Sequence, residues 1–290
     1  MSRYLNEIQK ANPRSQSQTD GEDVDIRRVL ESLKEVAPLF TKVPDVGIKE
    51  SVRVEIQTGN NAPLILRNDT SSQAALEAYR GLRTRLMRIQ SKSVLRTIAI
   101  TSTVPGEGKT LTVMNLGLCY SQLADQRILI VDGDLRTRGL TQLLGNPDTM
   151  GLAEVLSGKI TAEEAVLSTN QKNLFVMPAG IVASPAPEHF TGERWQEFLG
   201  WCSTTFQVVL VDTPPVLPLA DFELISAACD GIVAVVRAHH AERDLLQKTA
   251  SALDPKKLIG VVFNATDVKS ASYNYDYAYR QSNSLPVARG

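Results

Sequence analysis

Aromatic side chains are scarce in this 290-residue chain, at 6% of positions, and cysteine is scarcer, with three. Cys119, Cys202 and Cys229 lie far apart, form no CxxC pair and have no histidine at ligand spacing. That excludes the common zinc patterns, and an odd count excludes a fully paired disulfide framework. They read as buried free thiols in a reducing compartment. Neither sign of charge prevails: 31 Lys and Arg face 32 Asp and Glu, for a net charge of -1. A chain so balanced does not coat nucleic acid through bulk charge, and nucleic acid is not expected as a partner. No apolar run approaches the roughly 20 residues that span a bilayer. The longest, ILIV from 128 and GIVAVV from 231, have strand length. The opening MSRYLNEIQKANPRSQSQTD lacks the apolar stretch of a secretory signal. The expectation is a cytoplasmic chain that reaches a membrane only through a partner.

What is present is enough to build a core, with 43% hydrophobic and 22% charged residues. Residues 1–60 read as an appendage. NPRSQSQTDGEDVD is linker-like, IRRVLESLKEV has helical spacing, and SVRVEIQ alternates like a short edge strand. Residues 61–268 read as the domain and residues 269–290 as a flexible tail. Serines 71 and 72 suit a helix N-cap, and the periodicity that follows predicts a helix to about Gln90. Six short apolar, β-branched runs predict strands at 97–101, 128–132, 174–177, 208–212, 231–237 and 258–263. Runs apolar on both faces, alternating with helical segments, predict a doubly wound α/β fold. Its sheet is mostly parallel, with helices on both faces. Ligands of such sheets bind at the carboxyl ends of the strands.

Those ends carry the chemistry. After the first run comes TSTVPGEGKTLTVMNLG, whose Gly106-Glu107-Gly108-Lys109-Thr110 has the ending of a phosphate-binding loop. Glycines let backbone amides close on phosphate oxygens, and a helix N-terminus adds its positive end. Lys109 would reach the β and γ phosphates and Thr110 would ligate Mg²⁺. The first glycine of the strict motif is replaced by Thr103. A chance glycine-rich turn is the alternative, and the strand–loop–helix setting argues against it. Asp132 and Asp134 follow the second run, with Arg136 two residues on, and Asp212-Thr213-Pro214-Pro215 follow VVLV. An acid ending a buried strand beside such a loop is the expected Mg²⁺ partner. Asn264 ends the last run, where its amide would read an adenine edge; a turn-forming Asn fits equally. Arg237, His239 and His240 read as surface residues, and Trp195 and Trp201 as packing on one helix.

Together these pieces resemble the bacterial protein-tyrosine kinases (BY-kinases) of capsule and exopolysaccharide systems, over roughly residues 65–280. Several segments carry the resemblance. Val104-Pro105-Gly106-Glu107-Gly108-Lys109-Thr110 matches the family's Walker A form, with Pro ahead of the glycines. Asp132-x-Asp134-x-Arg136 matches the motif called Walker A′, and Asp212 onward matches Walker B. GLAEVLSG matches the family's GL-x-x-x-L-x-G segment, and EAYRGLR its E-x-x-R-x-x-R motif through Glu77, Arg80 and Arg83. The chain, like the family, ends in a tyrosine row, Tyr273, Tyr275, Tyr277 and Tyr279. PAGIVASPAPEHF keeps Pro185 and Pro187 but lacks the family's Asn, and it lines no motif assignable from sequence.

The resemblance implies a P-loop ATPase fold of deviant-Walker type and an ATP- and Mg²⁺-dependent tyrosine autokinase. Pro105 to Leu111, Arg136 and Asn264 would bind nucleotide. Thr110, Asp132 and Asp212 would hold the metal. Lys109 would neutralise the transferring group, and Asp134 would orient or deprotonate the phenol. The tail tyrosines would be phosphorylated in trans within a homo-oligomeric ring joined through Glu77, Arg80 and Arg83. The implied partners are protein tyrosine substrates and a membrane-embedded activator, a chain-length determinant of a polysaccharide system. Two other readings compete. One is a septum-site or chromosome-partitioning ATPase, disfavoured because Val104 stands where that class has a lysine. The other is an idle nucleotide-binding regulator, disfavoured by the intact acids.

Overall fold

The computed structural model describes residues 53–56, 73–124, 126–145, 148–182, 186–217 and 220–266. The tyrosine row, serines 71 and 72, and most of the predicted appendage lie outside them.

All six predicted strands are present, joined by two short ones. The strands are β1 (Arg53–Val54), β2 (Thr97–Ser102), β3 (Ile128–Asp132), β4 (Leu167–Thr169), β5 (Leu174–Met177), β6 (Val208–Asp212), β7 (Gly231–Arg237) and β8 (Leu258–Asn264). The helices are α1 (Gln73–Gln90), α2 (Lys109–Ser121), α3 (Gly139–Leu143), α4 (Leu152–Leu156), α5 (Ala162–Ala165), α6 (Ala186–Phe190), α7 (Glu193–Thr205), α8 (Ala220–Ala228) and α9 (Arg243–Ala252). One sheet runs in the order β1-β4-β5-β3-β6-β2-β7-β8. Every pairing is parallel except β4 with β5. β1 pairs with β4, so the sheet draws on residues ahead of position 61.

Successive side chains of a strand point to opposite faces, so runs apolar throughout feed two cores. Ile98, Ile100, Ile128, Ile130, Val208 and Leu210 enter one, covered by α1 and α2. Ala99, Leu129, Val131, Val209 and Val211 enter the other with Trp195, Phe198 and Phe222 of the opposite helices. Trp195 packs as expected, in edge contact with Phe190 and stacked on Phe198. The three cysteines are buried free thiols. Among the described residues no helix is long and apolar enough to cross a membrane.

This topology brings β3, β6, β2 and β7 side by side, with carboxyl ends at one edge. Asp132 and Asp212 are register partners on adjacent parallel strands. Two acids 80 positions apart in sequence therefore stand about 4.8 Å apart along the hydrogen-bonding direction.

Candidate nucleotide-binding active site

The loop from Thr103 to Gly108 links β2 to α2. Gly106 and Gly108 take φ values of +84° and +93°, which residues with a Cβ rarely adopt. At Gly108 a Cβ would also lie 2.2 Å from Asn264 Nδ2. Glu107, expected at the nucleotide, is fully buried and turns its carboxylate onto the loop itself. Its Oε2 accepts from Thr103 N at 2.6 Å and Val104 N at 3.0 Å. Its side chain therefore shapes the loop, and only its backbone amide is left to offer a phosphate.

Lys109 leads α2 and is nearly buried. Its Nζ lies 2.9 Å from Asp134 Oδ2 and 3.6 Å from Asp212 Oδ1. Burial works against the ammonium, but Asp212, Asp134 and Asp132 outweigh it and hold its pKa above the ordinary lysine value. Burial likewise pushes the Asp134 carboxyl up. Lys109 and the hydrogen bonds from Thr137 overcome that and hold it below the usual carboxylate range. Asp212 is driven the other way, to about 7, by complete burial, with Lys109 opposing and Asp132 adding to the rise. Asp132 is pushed to about 6 by burial, although two hydrogen bonds from Thr141 favour its charged form.

The metal-binding expectation meets a specific test here. Thr110 Oγ1 donates to Asp212 Oδ2 at 2.6 Å, and Asp132 Oδ2 accepts from Thr141 N at 2.8 Å and Thr141 Oγ1 at 2.6 Å. The remaining oxygens, Asp132 Oδ1 and Asp212 Oδ1, are buried and accept no hydrogen bond, the second facing the Lys109 ammonium at 3.6 Å. Buried acceptors without donors are costly unless a cation meets them. Two hard oxygens on neighbouring strand ends, beside a threonine hydroxyl, fit Mg²⁺.

Other predicted residues are placed differently. Arg136 does not point at this cluster. Its Nε donates to Asp221 Oδ2 at 2.6 Å and its NH2 to Oδ1 at 3.2 Å. This two-pronged pair ties the loop after β3 to the first turn of α8. Asn264 donates from Nδ2 to Glu107 O at 2.8 Å, so the amide expected to read a base holds the loop. On α1, Arg80 pairs with Glu77 at 2.6 Å and both stay partly exposed. Arg83 leaves their stripe and donates to the Cys119 carbonyl at the far end of α2. Ten residues of helix put that contact about 15 Å from Lys109.

Sequence reading missed Thr141 and Asp221, and it assigned no motif role to the segment from Pro178; Arg237, His239 and His240 are exposed, as it read them. Ala179 N donates to Thr141 Oγ1 at 2.8 Å, and that hydroxyl in turn donates to Asp132. The GLAEVLSG segment stacks on the same turn, Leu152 N donating to Pro178 O at 2.8 Å and Ala153 N to Ala179 O at 2.9 Å. Glu154, buried, accepts from Gly151 N at 2.8 Å and Ile181 N at 3.0 Å. The segment therefore supports a site acid. No local pattern marks Thr141; only the fold sets it beside Asp132.

A glycine-rich loop between strand and helix, a lysine reaching into it, and acids on the two neighbouring strand ends define a P-loop nucleotide-binding domain. The AAA domain family matches residues 95–251. Over 206 residues the chain is 31% identical to tyrosine-protein kinase YwqD of Bacillus subtilis (strain 168), covering 70% of this chain and 85% of that one. It is 29% identical over 215 residues to tyrosine-protein kinase wzc of Salmonella typhimurium, covering 72% of this chain but 30% of that longer protein. The kinase domain of the Escherichia coli tyrosine kinase ETK superposes with a TM-score of 0.64 at 26% identity, over 72% of this chain and 82% of that one. The chain belongs to the bacterial tyrosine-protein kinase family.

Proposed function

We propose that this protein is an ATP- and Mg²⁺-dependent tyrosine autokinase that phosphorylates Tyr273, Tyr275, Tyr277 and Tyr279 in trans and regulates capsular or exopolysaccharide synthesis and export. The observation that carries the reading is Lys109 poised between Asp134 and Asp212, beside two buried carboxylate oxygens that accept no hydrogen bond. When bound, Mg-ATP supplies the transferable phosphoryl group, and the metal draws charge off its oxygens. Thr110, Asp132 and Asp212 are the residues that would hold the metal.

The chain's own groups divide the remaining work. The amides of the loop and of the α2 N-terminus orient the phosphates. Lys109 places its charge on them, and to do so it gives up Asp134. That exchange changes Asp134. With Lys109 withdrawn, its carboxyl loses the strongest influence opposing burial and becomes more basic. Asp134 then accepts the proton of an incoming phenol, whose pKa of about 10 makes it unreactive unaided. The ligand-free site thus keeps its base quiet until the lysine has turned to phosphate.

A tail tyrosine delivered by a neighbour in a homo-oligomeric ring arrives at high effective concentration. The exposed Glu77–Arg80 pair supports this reading, with Arg83 anchoring α1 to α2. A Glu77→Ala, Arg80→Ala, Arg83→Ala triple variant is expected to sediment as smaller particles; an unchanged size removes α1 from the assembly. Each added phosphate brings about -1.5 to -2 charges, which favours release. A membrane-embedded activator of the chain-length-determinant kind would recruit the chain to the inner face of the membrane.

The function is tested with full-length protein, Mg²⁺ and γ-labelled ATP, with and without the cytoplasmic tail of a candidate activator. Label should appear on residues 273–279 and vanish in Lys109→Ala. ATP turnover without phosphotyrosine, in the presence of a proven activator, would sink the kinase reading.

A further inference from the structure

The outer side of the phosphate-binding loop is gripped by side chains from the ends of β7 and β8. Three consecutive loop carbonyls are taken. Pro105 O accepts from His240 Nε2 at 2.9 Å, Gly106 O from Arg237 NH1 at 3.3 Å, and Glu107 O from Asn264 Nδ2 at 2.8 Å. The Glu107 carboxylate returns the contact, accepting from Arg237 N at 3.3 Å. The gripping elements are themselves tied. Ala238 N donates to Asn264 O at 3.0 Å and His240 N to Arg237 O at 3.3 Å, with His239 in the left-handed region at φ 56°. That turn lays the His240 ring against Gly106, where a Cβ would come within 3.2 Å of Nε2.

Peptide geometry gives this grip a consequence. In a planar trans peptide the C=O of one residue and the N–H of the next point in opposite directions. Drawing the carbonyls of Pro105, Gly106 and Glu107 toward β7 and β8 therefore turns the amides of Gly106, Glu107 and Gly108 to the other side. Successive amides facing one way form an anion-binding concavity. We infer that Arg237 and His240 are positioning residues of the nucleotide site, a brace that preorganises these three amides for phosphate before nucleotide arrives. The inference rests on the nucleotide-binding reading of the loop. Two glycines at positive φ leave the loop free to rotate these peptides, and binding would otherwise pay to order them. His240 and Arg237 carry the brace from exposed positions, so their removal leaves both cores intact.

The test is equilibrium titration of the full-length chain with fluorescent Mg-ADP, read beside the melting temperature without nucleotide. His240→Ala and Arg237→Ala should each weaken binding about 10-fold, the scale of one lost hydrogen bond to a loop that must then be ordered. Melting should hold within a degree or two of wild type. His240→Gln, whose amide can donate to the Pro105 carbonyl, should recover most of the loss. In the kinase assay KM for ATP should rise more than kcat falls. Wild-type affinity in both alanine variants overturns the brace, and so does His240→Gln binding no better than His240→Ala. A wild type that binds Mg-ADP tightly yet transfers no phosphoryl group sinks the kinase reading and leaves this inference standing. A wild type that binds no Mg-ADP overturns both.

Discussion

Lys109→Ala is expected to lower phosphoryl transfer about 100- to 1,000-fold, the usual cost of removing one charge-stabilising donor from a preorganised site. It should also destabilise the ligand-free protein. Lys109 lowers the carboxyls of three nearly inaccessible acids, Asp132, Asp134 and Asp212. Removing one partner of a buried ion pair typically costs about 3–5 kcal/mol, which in a domain of this size is on the order of 10 °C in Tm. The pH dependence follows from the signs. The folded-state pKa of Lys109 is raised, so its contribution is present below the ordinary lysine value and lost only above that range. The variant therefore forfeits it throughout pH 5–9. Without the lysine, Asp134 loses the largest influence holding its carboxyl down and the already raised carboxyls of Asp132 and Asp212 rise further; acids with raised folded-state values lose stability as pH rises through them. The deficit should widen from pH 5 to pH 8. Thermal denaturation across that range checks this, and a pH-independent deficit would show that the carboxylates do not depend on Lys109.

Asp212→Asn should abolish transfer and yet stabilise the ligand-free chain at pH 8. Complete burial raises the carboxyl of Asp212 to about 7, well above its unfolded value of 3.8. The wild type consequently loses stability as pH climbs between those two values, by up to roughly 4 kcal/mol at about 1.4 kcal/mol for each pKa step. An asparagine escapes that loss and still accepts the Thr110 hydroxyl. The Tm advantage of the variant should be absent near pH 4 and reach about 10 °C by pH 8, less whatever the lost contact with Lys109 returns. Mg-ADP should erase the advantage by stabilising the wild type alone. Equal melting curves at pH 8 would mean that Asp212 is not held in the folded state at an electrostatic cost. Such a cost fits a site built for a cation, because charge held at a cost in the ligand-free chain is charge available on binding.

Much of the fold was legible because each strand carries its signal locally. TIAIT, ILIVD and VVLVD are apolar at every interior position, on both faces of the strand, and only a sheet covered on both faces makes use of that. β4 escaped notice because three residues, LST, cannot display a period, and its antiparallel pairing depends on β5. The loop and the acids were legible because their chemistry follows strand ends in sequence. Supporting residues were not. Thr141 lies nine positions from Asp132, and Asp221 lies 85 positions from Arg136. Such pairs leave no mark in a local window.

Local chemistry in the chain determined the parts: phosphate-binding glycines, a lysine, acids at strand ends, and a tyrosine row. Arrangement was decided by the sheet order. It set β3 between β5 and β6 and β2 between β6 and β7, which made Asp132 and Asp212 neighbours and laid the ends of β7 and β8 against the loop. It also gave partners within the ligand-free chain to three side chains that sequence had aimed at nucleotide. Arg136 took Asp221, Glu107 took the loop's own amides, and Asn264 took the Glu107 carbonyl. The physical reason is common to all three. A buried or half-buried polar group pairs with whatever partner the fold brings within about 3 Å, and sequence spacing does not reveal which partner that is.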